Sequence, residues 1–174
     1  MQASLPTMKN KVITPFQPSR HQHKKCQQTA IEAAREHCAA AGLRLTPLRQ
    51  QVLALVWENH EPVKAYDILD KLKQERSSSA PPTVYRALEF LQEQGLVHKI
   101  ESLNAYVGCG SPAESHRSSQ FLICKLCGCV AELDDADIKQ LLKTKAEKVG
   151  FDIARETVEI TGYCSNCSKR QQAG

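Results

Sequence analysis

The sequence predicts an α+β protein of two units, an N-terminal winged helix-turn-helix and a small C-terminal α/β domain. Four stretches with helical periodicity run as far as Gly95 and are followed by two short strand-like runs, VHKIE and AYVGC, on either side of SLN. A segment rich in Gly, Pro and Ser, GSPAESHRSS, then breaks the pattern. Beyond it, strand-like runs and one helix are bracketed by two C-x₂-C pairs, Cys124/Cys127 and Cys164/Cys167.

Residues 1–27 are polar, punctuated by proline and without periodicity, and are expected to form a disordered or loosely attached extension. The first helix starts near Thr29 in TAIEAAREHCAAAG and closes at Gly42, a C-terminal cap. Thr46 and Pro47 supply the N-cap and first turn of the second helix, where Leu48, Val52 and Leu55 recur at i, i+4 and i+7. The third helix, AYDILDKLKQE, buries Ile68, Leu69 and Leu72. The fourth, PPTVYRALEFLQEQG, again opens on proline and closes on glycine. A hairpin over 97–109 completes a winged-helix domain spanning 28–109. Residues 110–118 form a hinge, and 119–174 a second domain with strands FLIC and CVAEL, a helix DDADIKQLLKTKAEKVG and a strand FDIARETVEITGYC. That helix opens on acidic residues and closes on lysines, which suits its dipole.

No apolar run approaches the ~20 residues that cross a bilayer, and the N-terminus has no apolar stretch of the secretory kind. A cytoplasmic protein is therefore expected, with no membrane partner. In that compartment eight cysteines read as metal ligands or redox groups rather than as a disulfide framework. The net charge of +4 is uneven: residues 1–100 carry 14 Lys+Arg against 9 Asp+Glu (+5), and residues 101–174 carry 9 against 10 (−1). A basic first half fits a polyanionic partner, although the excess is modest. No Ser/His/Asp set, phosphate loop or HExxH motif appears, so neither an enzyme nor a small-molecule substrate is expected.

Two C-x₂-C pairs can supply four thiolates to one tetrahedral Zn²⁺. Each pair ends a strand-like run, so one ion would clamp the start of the second domain to its end. The alternatives are spare thiols or a thioredoxin-like couple. That arrangement sets a C-x-x-C at a helix N-terminus, and neither pair is expected to precede a helix. Cys129 reads as a small half-buried side chain, and Cys26 and Cys38 as incidental.

His98, Cys109, His116 and Glu132 form a second set of ligand types. Plain readings exist: His98 as a polar residue at the base of the hairpin, His116 as a solvated loop histidine, Glu132 as a strand-edge carboxylate. Their distribution favours more, because one metal held by all four would tie the two domains together across the hinge. A mixed S/N₂/O tetrahedron suits Zn²⁺ better than Mg²⁺ or Mn²⁺. On the fourth helix Ala87, Leu88 and Leu91 share the Val84 face, while Arg86 points about 200° away. Arg86, with Thr83 and Tyr85 beside it, sits where a recognition helix meets base edges, and Tyr66 on the preceding helix could reach a phosphate. The alternative is a solvated arginine and a half-buried tyrosine.

Taken together, PPTVYRALEFLQEQGLVHKI, YVGC, the spaced histidine, FLICKLCG and CSNC resemble the ferric uptake regulator superfamily, from about Leu45 to Cys167. The stretch ESHRSSQFLIC holds one histidine where iron sensors carry a cluster, so the resemblance is to the zinc uptake regulator branch. It implies a zinc-responsive repressor that binds double-stranded operator DNA as a homodimer, with the second domain as the dimerisation domain. It further implies two zinc ions per protomer: structural zinc at Cys124, Cys127, Cys164 and Cys167, and regulatory zinc at His98, Cys109, His116 and Glu132. Tyr66 and Arg86 match family DNA-contact positions. A sensor of another metal or of peroxide, a thiol redox enzyme and a structural zinc-ribbon adaptor are the competing readings.

Overall fold

A computed structural model describes residues 11–16, 23–58, 61–75, 81–110 and 118–172. The first unit is built from helices α1 (His23–Ala40), α2 (Pro47–Val56), α3 (Ala65–Glu75) and α4 (Pro81–Glu93). Thr46 caps α2 by accepting from the Arg49 N–H, with Pro47 in the first turn. Gly42 (φ 67°) and Gly95 (φ 66°) end α1 and α4 in the left-handed region. The following residues then bond back across the last turn, Leu43 N–H to Cys38 O at 2.8 Å and Leu96 N–H to Leu91 O at 2.8 Å. The buried stripes of these helices, including Val52, Leu53, Ile68, Leu72, Val84, Leu88 and Leu91, meet in one core.

The wing follows. Strands β2 (Val97–Ile100) and β3 (Ala105–Gly108) pair antiparallel, with His98 opposite Val107. A single helical turn, Glu101–Leu103, and Asn104 at φ 46° connect them. Val63 adds a bridge on the outer edge through two bonds to Tyr106 (2.9 and 2.8 Å).

The second unit is a four-stranded sheet in the order β1-β5-β4-β6, formed by β1 (Lys11–Thr14), β4 (Ser118–Cys124), β5 (Val130–Asp134) and β6 (Glu156–Gly162). Strand β5 runs antiparallel to both neighbours, and β6 runs parallel to β4. Helix α5 (Ala136–Glu147) makes the crossover, its first turn capped by Asp135, which accepts from Asp137 N (2.9 Å) and Ile138 N (3.0 Å). Ile100 and Val107 of the wing join Phe121, Ile123 and Val130 of the sheet in a shared apolar cluster. The wing is thus packed directly on the sheet.

Three expectations change. Residues 11–14 are a strand, not part of an unstructured extension: Val12, Ile13 and Thr14 are β-branched, and β5 offers an edge for them to pair with. Helix α1 begins at His23, not near Thr29, because its polar first turns are made of good helix formers and Gln27 docks on α2, donating to Ala54 O at 2.6 Å. The last strand covers only Glu156–Gly162, and CSNC leads into a helix, α6 (Ser165–Gln172).

At the end of the wing, a β-carbon on Gly108 would fall inside the indole of Trp57, the chain's single tryptophan. Gly108→Ala is expected to destabilise the protein by about 1–3 kcal/mol and to shift the Trp57 emission. Unchanged stability and emission would place Trp57 elsewhere.

Candidate metal centres and nucleic-acid face

The parallel pairing of β4 with β6 sets Cys124 opposite Gly162, so the two C-x₂-C pairs meet at one end of the sheet. The first pair lies on a tight turn in which Gly128 (φ 73°) donates to Cys124 O at 3.0 Å, and Cys124 N–H bonds the Cys129 carbonyl at 3.0 Å. The second turns on Cys164, whose carbonyl accepts from Cys167 N (3.0 Å) and Ser168 N (2.8 Å). All four sulfurs lie within 4.8 Å of one another, with Cys127 and Cys164 3.8 Å apart. Phe16 covers this cluster from outside.

The electrostatics of this cluster are uneven. Burial would push the Cys124 thiol up, but the backbone N–H groups of Cys164, Cys127 and Leu126 outweigh it and bring it to about 6. Burial and the three neighbouring sulfurs push the Cys167 thiol the other way, to about 12. One thiolate is welcome and four are not, unless a cation lies among them. Four converging sulfurs at this spacing fit a tetrahedral soft divalent ion such as Zn²⁺. The expectation that neither pair precedes a helix is corrected, since Cys164 directly precedes α6. Helix position therefore does not argue against a redox couple; the convergence of four sulfurs, where a couple needs two, does. Cys129 is half-buried and offers its carbonyl, while Cys38 is buried within the helical core, where burial pushes its thiol up.

The second group spans the two units. His98 lies on β2. Cys109 follows β3, held at the base of the hairpin by its N–H bond to Leu96 O at 3.0 Å. Glu132 lies on β5 between Phe121 of β4 and Thr14 of β1. One ligand atom from each lies within 4.8 Å of the others, and all three side chains are buried, at 4%, 3% and 4% exposure. His98 Nε2 stands 2.8 Å from Glu132 Oε1, Gly110 N–H donates to Glu132 Oε2 at 3.3 Å, and the His98 ring meets Phe121 edge-on at 5.3 Å. A carboxylate this deep costs several kcal/mol in lost hydration. Its partners are an imidazole and an amide, neither carrying a fixed positive charge. The set of thiol, imidazole and carboxylate fits a divalent cation, with Zn²⁺ favoured by the sulfur. His116, expected as the fourth member, lies outside the described residues.

On α4, Val84, Ala87 and Leu88 face the core, while Thr83, Tyr85 and Arg86 are exposed on its outer side. Tyr66, on α3, is exposed too, at 67%. Tyr85 and Arg86, adjacent on α4, give this face both stacking area and donors.

A family model described as Ferric uptake regulator family matches residues 40–161. The chain belongs to this family. Zinc uptake regulation protein of Escherichia coli (strain K12) is 40% identical over 144 residues, covering 83% of this chain and 84% of that protein. A solved structure of a zinc uptake regulator complexed with zinc and DNA superimposes with a TM-score of 0.80 at 38% identity, over 84% of this chain and 97% of that one. Holo XcZur superimposes with a TM-score of 0.76 at 43% identity, over 81% of this chain and 98% of that one. The chain shares the family's fold, a helical winged domain followed by a second, sheet-based domain.

One residue that the sequence does not single out also joins the two units in this family member. Glu159 on β6 accepts from the N–H groups of Glu101 (2.6 Å) and Ser102 (3.1 Å) in the wing turn. Burial would raise its carboxyl, but the Ser102 hydroxyl and the two N–H groups outweigh that and hold it below its usual 4.5. A depressed value means that the contact is present above the ordinary range and lost as pH falls through the lowered one. Glu159→Ala is expected to speed amide exchange at Glu101 and Ser102. In the unaltered protein their protection should persist down to pH 4.5 and disappear only below it. Equal protection in the variant would show that the wing is held without Glu159.

Proposed function

We propose that the protein is a zinc-responsive transcriptional repressor that binds operator DNA as a homodimer when its regulatory zinc site is filled. The observation that carries this reading is the convergence of His98 and Cys109 from the wing with Glu132 from the sheet. A donor set split between two units can form only where the units meet in one arrangement, and a ligand that needs the whole set selects that arrangement. His98, Cys109 and Glu132 would hold the ion together with His116, which the sequence places between Gly110 and β4. The ion supplies the positive charge that the buried carboxylate lacks. Cys124, Cys127, Cys164 and Cys167 would hold a second, structural zinc, making two per protomer.

The rest of the molecule is consistent with this. Helix α5 buries no side chain within the chain, and Leu141, Val149, Phe151, Ile160 and Tyr163 leave an apolar surface over α5, the turn after it and the edge strand β6. A second copy would cover it, which makes this domain the dimerisation domain. Thr83, Tyr85 and Arg86 on α4, and Tyr66 on α3, would then meet DNA, with half-sites about 34–36 Å apart. The E. coli relative named for zinc uptake regulation and the solved regulator carrying zinc and DNA support the same assignment. On this reading the protein is a regulator rather than an enzyme and works in the cytoplasm, where operator DNA lies.

Buffering free zinc steadily downward while counting bound zinc per protomer should give two steps, the weaker leaving a folded dimer behind. Cys109→Ser should lose only that weaker step, along with zinc-dependent operator binding. A single step that takes the fold with it would reduce the protein to a structural zinc domain. Operator DNA should tighten the weaker zinc by the factor by which zinc tightens DNA. Arg86→Ala should cost about 1–3 kcal/mol of specific DNA binding without altering dimerisation. Wild-type affinity in that variant would remove Arg86 from the readout.

A further inference from the structure

Strand β1 lies outside residues 40–161, the stretch that the family model matches. The segment 11–16 that contains it touches both candidate metal centres. Thr14 pairs with Glu132 on the side of β5 opposite β4, which makes the strand carrying the carboxylate an interior strand. The Thr14 hydroxyl is buried without a hydrogen bond to the described residues, and its side chain borders, with Glu132, a small space of about 20 Å³. It also abuts Gly110, where an added β-carbon would collide with Thr14 Oγ1 and press on Ile13 Cγ2 at 3.0 Å. Gly110 follows Cys109 in the chain and donates its N–H to Glu132. Two residues beyond Thr14, Phe16 packs on Cys124, Cys164 and Cys167. The chain then passes through residues 17–22 into α1, whose Ala34 and Cys38 sit in the core of the winged domain.

We propose that residues 11–16 are a strap that holds the winged domain and the sheet in the arrangement that assembles His98, Cys109 and Glu132, with Thr14 and Gly110 as positioning residues. The chain crosses between the units twice, once through 17–22 and once through 111–117, and the first crossing is anchored by a strand ladder. A ligand's apparent affinity falls by the fraction of molecules in the competent arrangement. By raising that fraction before any metal binds, the strap sets the free zinc concentration at which the protein responds. This deepens the zinc-switch reading and rests on it for the metal, though not for the strap itself.

Three proteins test it: the chain lacking residues 1–16, full-length Gly110→Ala, and the two changes combined. Zinc alone is the probe, titrated against a chelator of known affinity. Removing the strap should weaken the second zinc by about fivefold or more and leave the first zinc bound. Gly110→Ala should do the same in the full chain by lifting β1 from its place, and should add nothing once the strap is gone. An affinity within about twofold of the unaltered protein after truncation, or an equal loss from Gly110→Ala with and without the strap, would overturn the proposal. A metal-free readout separates the two readings: amide exchange at Gly110 should speed up on truncation. Unchanged exchange there sinks the strap whatever zinc does. Faster exchange in a protein that binds a single zinc sinks the zinc switch and leaves the strap standing.

Discussion

Glu132 is a carboxylate at 4% exposure placed where two structural units meet, and much of the architecture can be read as the means of tolerating it. A buried anion must be paired, hydrogen-bonded or neutralised. Its pairing residue, His98, comes from a hairpin in a different unit, so the cost of burying the carboxylate is offset only while the wing lies against the sheet. Separation of the two would leave Glu132 on β5 without its imidazole and Cys109 without its neighbours. Electrostatics at this point thus favour one placement of the winged helix against the sheet.

Around this point the contacts are layered by kind. Ile100 and Val107 pack on Phe121, Ile123 and Val130, a non-directional apolar contact that sets how closely the units approach. Glu159 takes two N–H groups from the wing turn and fixes its orientation from the far edge of the sheet. The four-sulfur cluster lies at the end of the sheet where β4, the strand that neighbours β5, runs beside β6. None of these contacts involves α4, whose outer face stays open with Thr83, Tyr85 and Arg86.

Much of this was legible in the sequence, and the rest was not, for identifiable reasons. Helices α2 to α4 announced themselves because Thr46, the opening prolines Pro47 and Pro81, and Gly95 punctuate clear apolar stripes. The sulfur cluster was legible from spacing. His98, Cys109 and Glu132 could be picked out as ligand types, but their convergence depends on how the wing packs, which no local pattern encodes. Strand β1 escaped because a four-residue run before Pro15 carries little signal until an edge is there to receive it. Helix α6, SNCSKRQQ, has no apolar periodicity, and its position is set by the cysteines at its start. Glu159 looks like any alternating strand residue; its role arises from the opposing N–H groups.

The parallel pairing of β4 with β6 also imposes an order on synthesis. The winged domain is complete once Gly110 has been added, and its helices need nothing downstream to close their core. Cys124 and Cys127 follow soon after, but Cys164 and Cys167 come only after α5 and β6. At roughly 5–20 residues per second, the ribosome delivers the second pair several seconds after the winged domain. During that interval a nascent chain carries a finished helix-turn-helix beside two thiols that have no partners. The four-sulfur cluster therefore forms after the winged domain, and the proposed structural ion can enter its full ligand set only once β6 has been made.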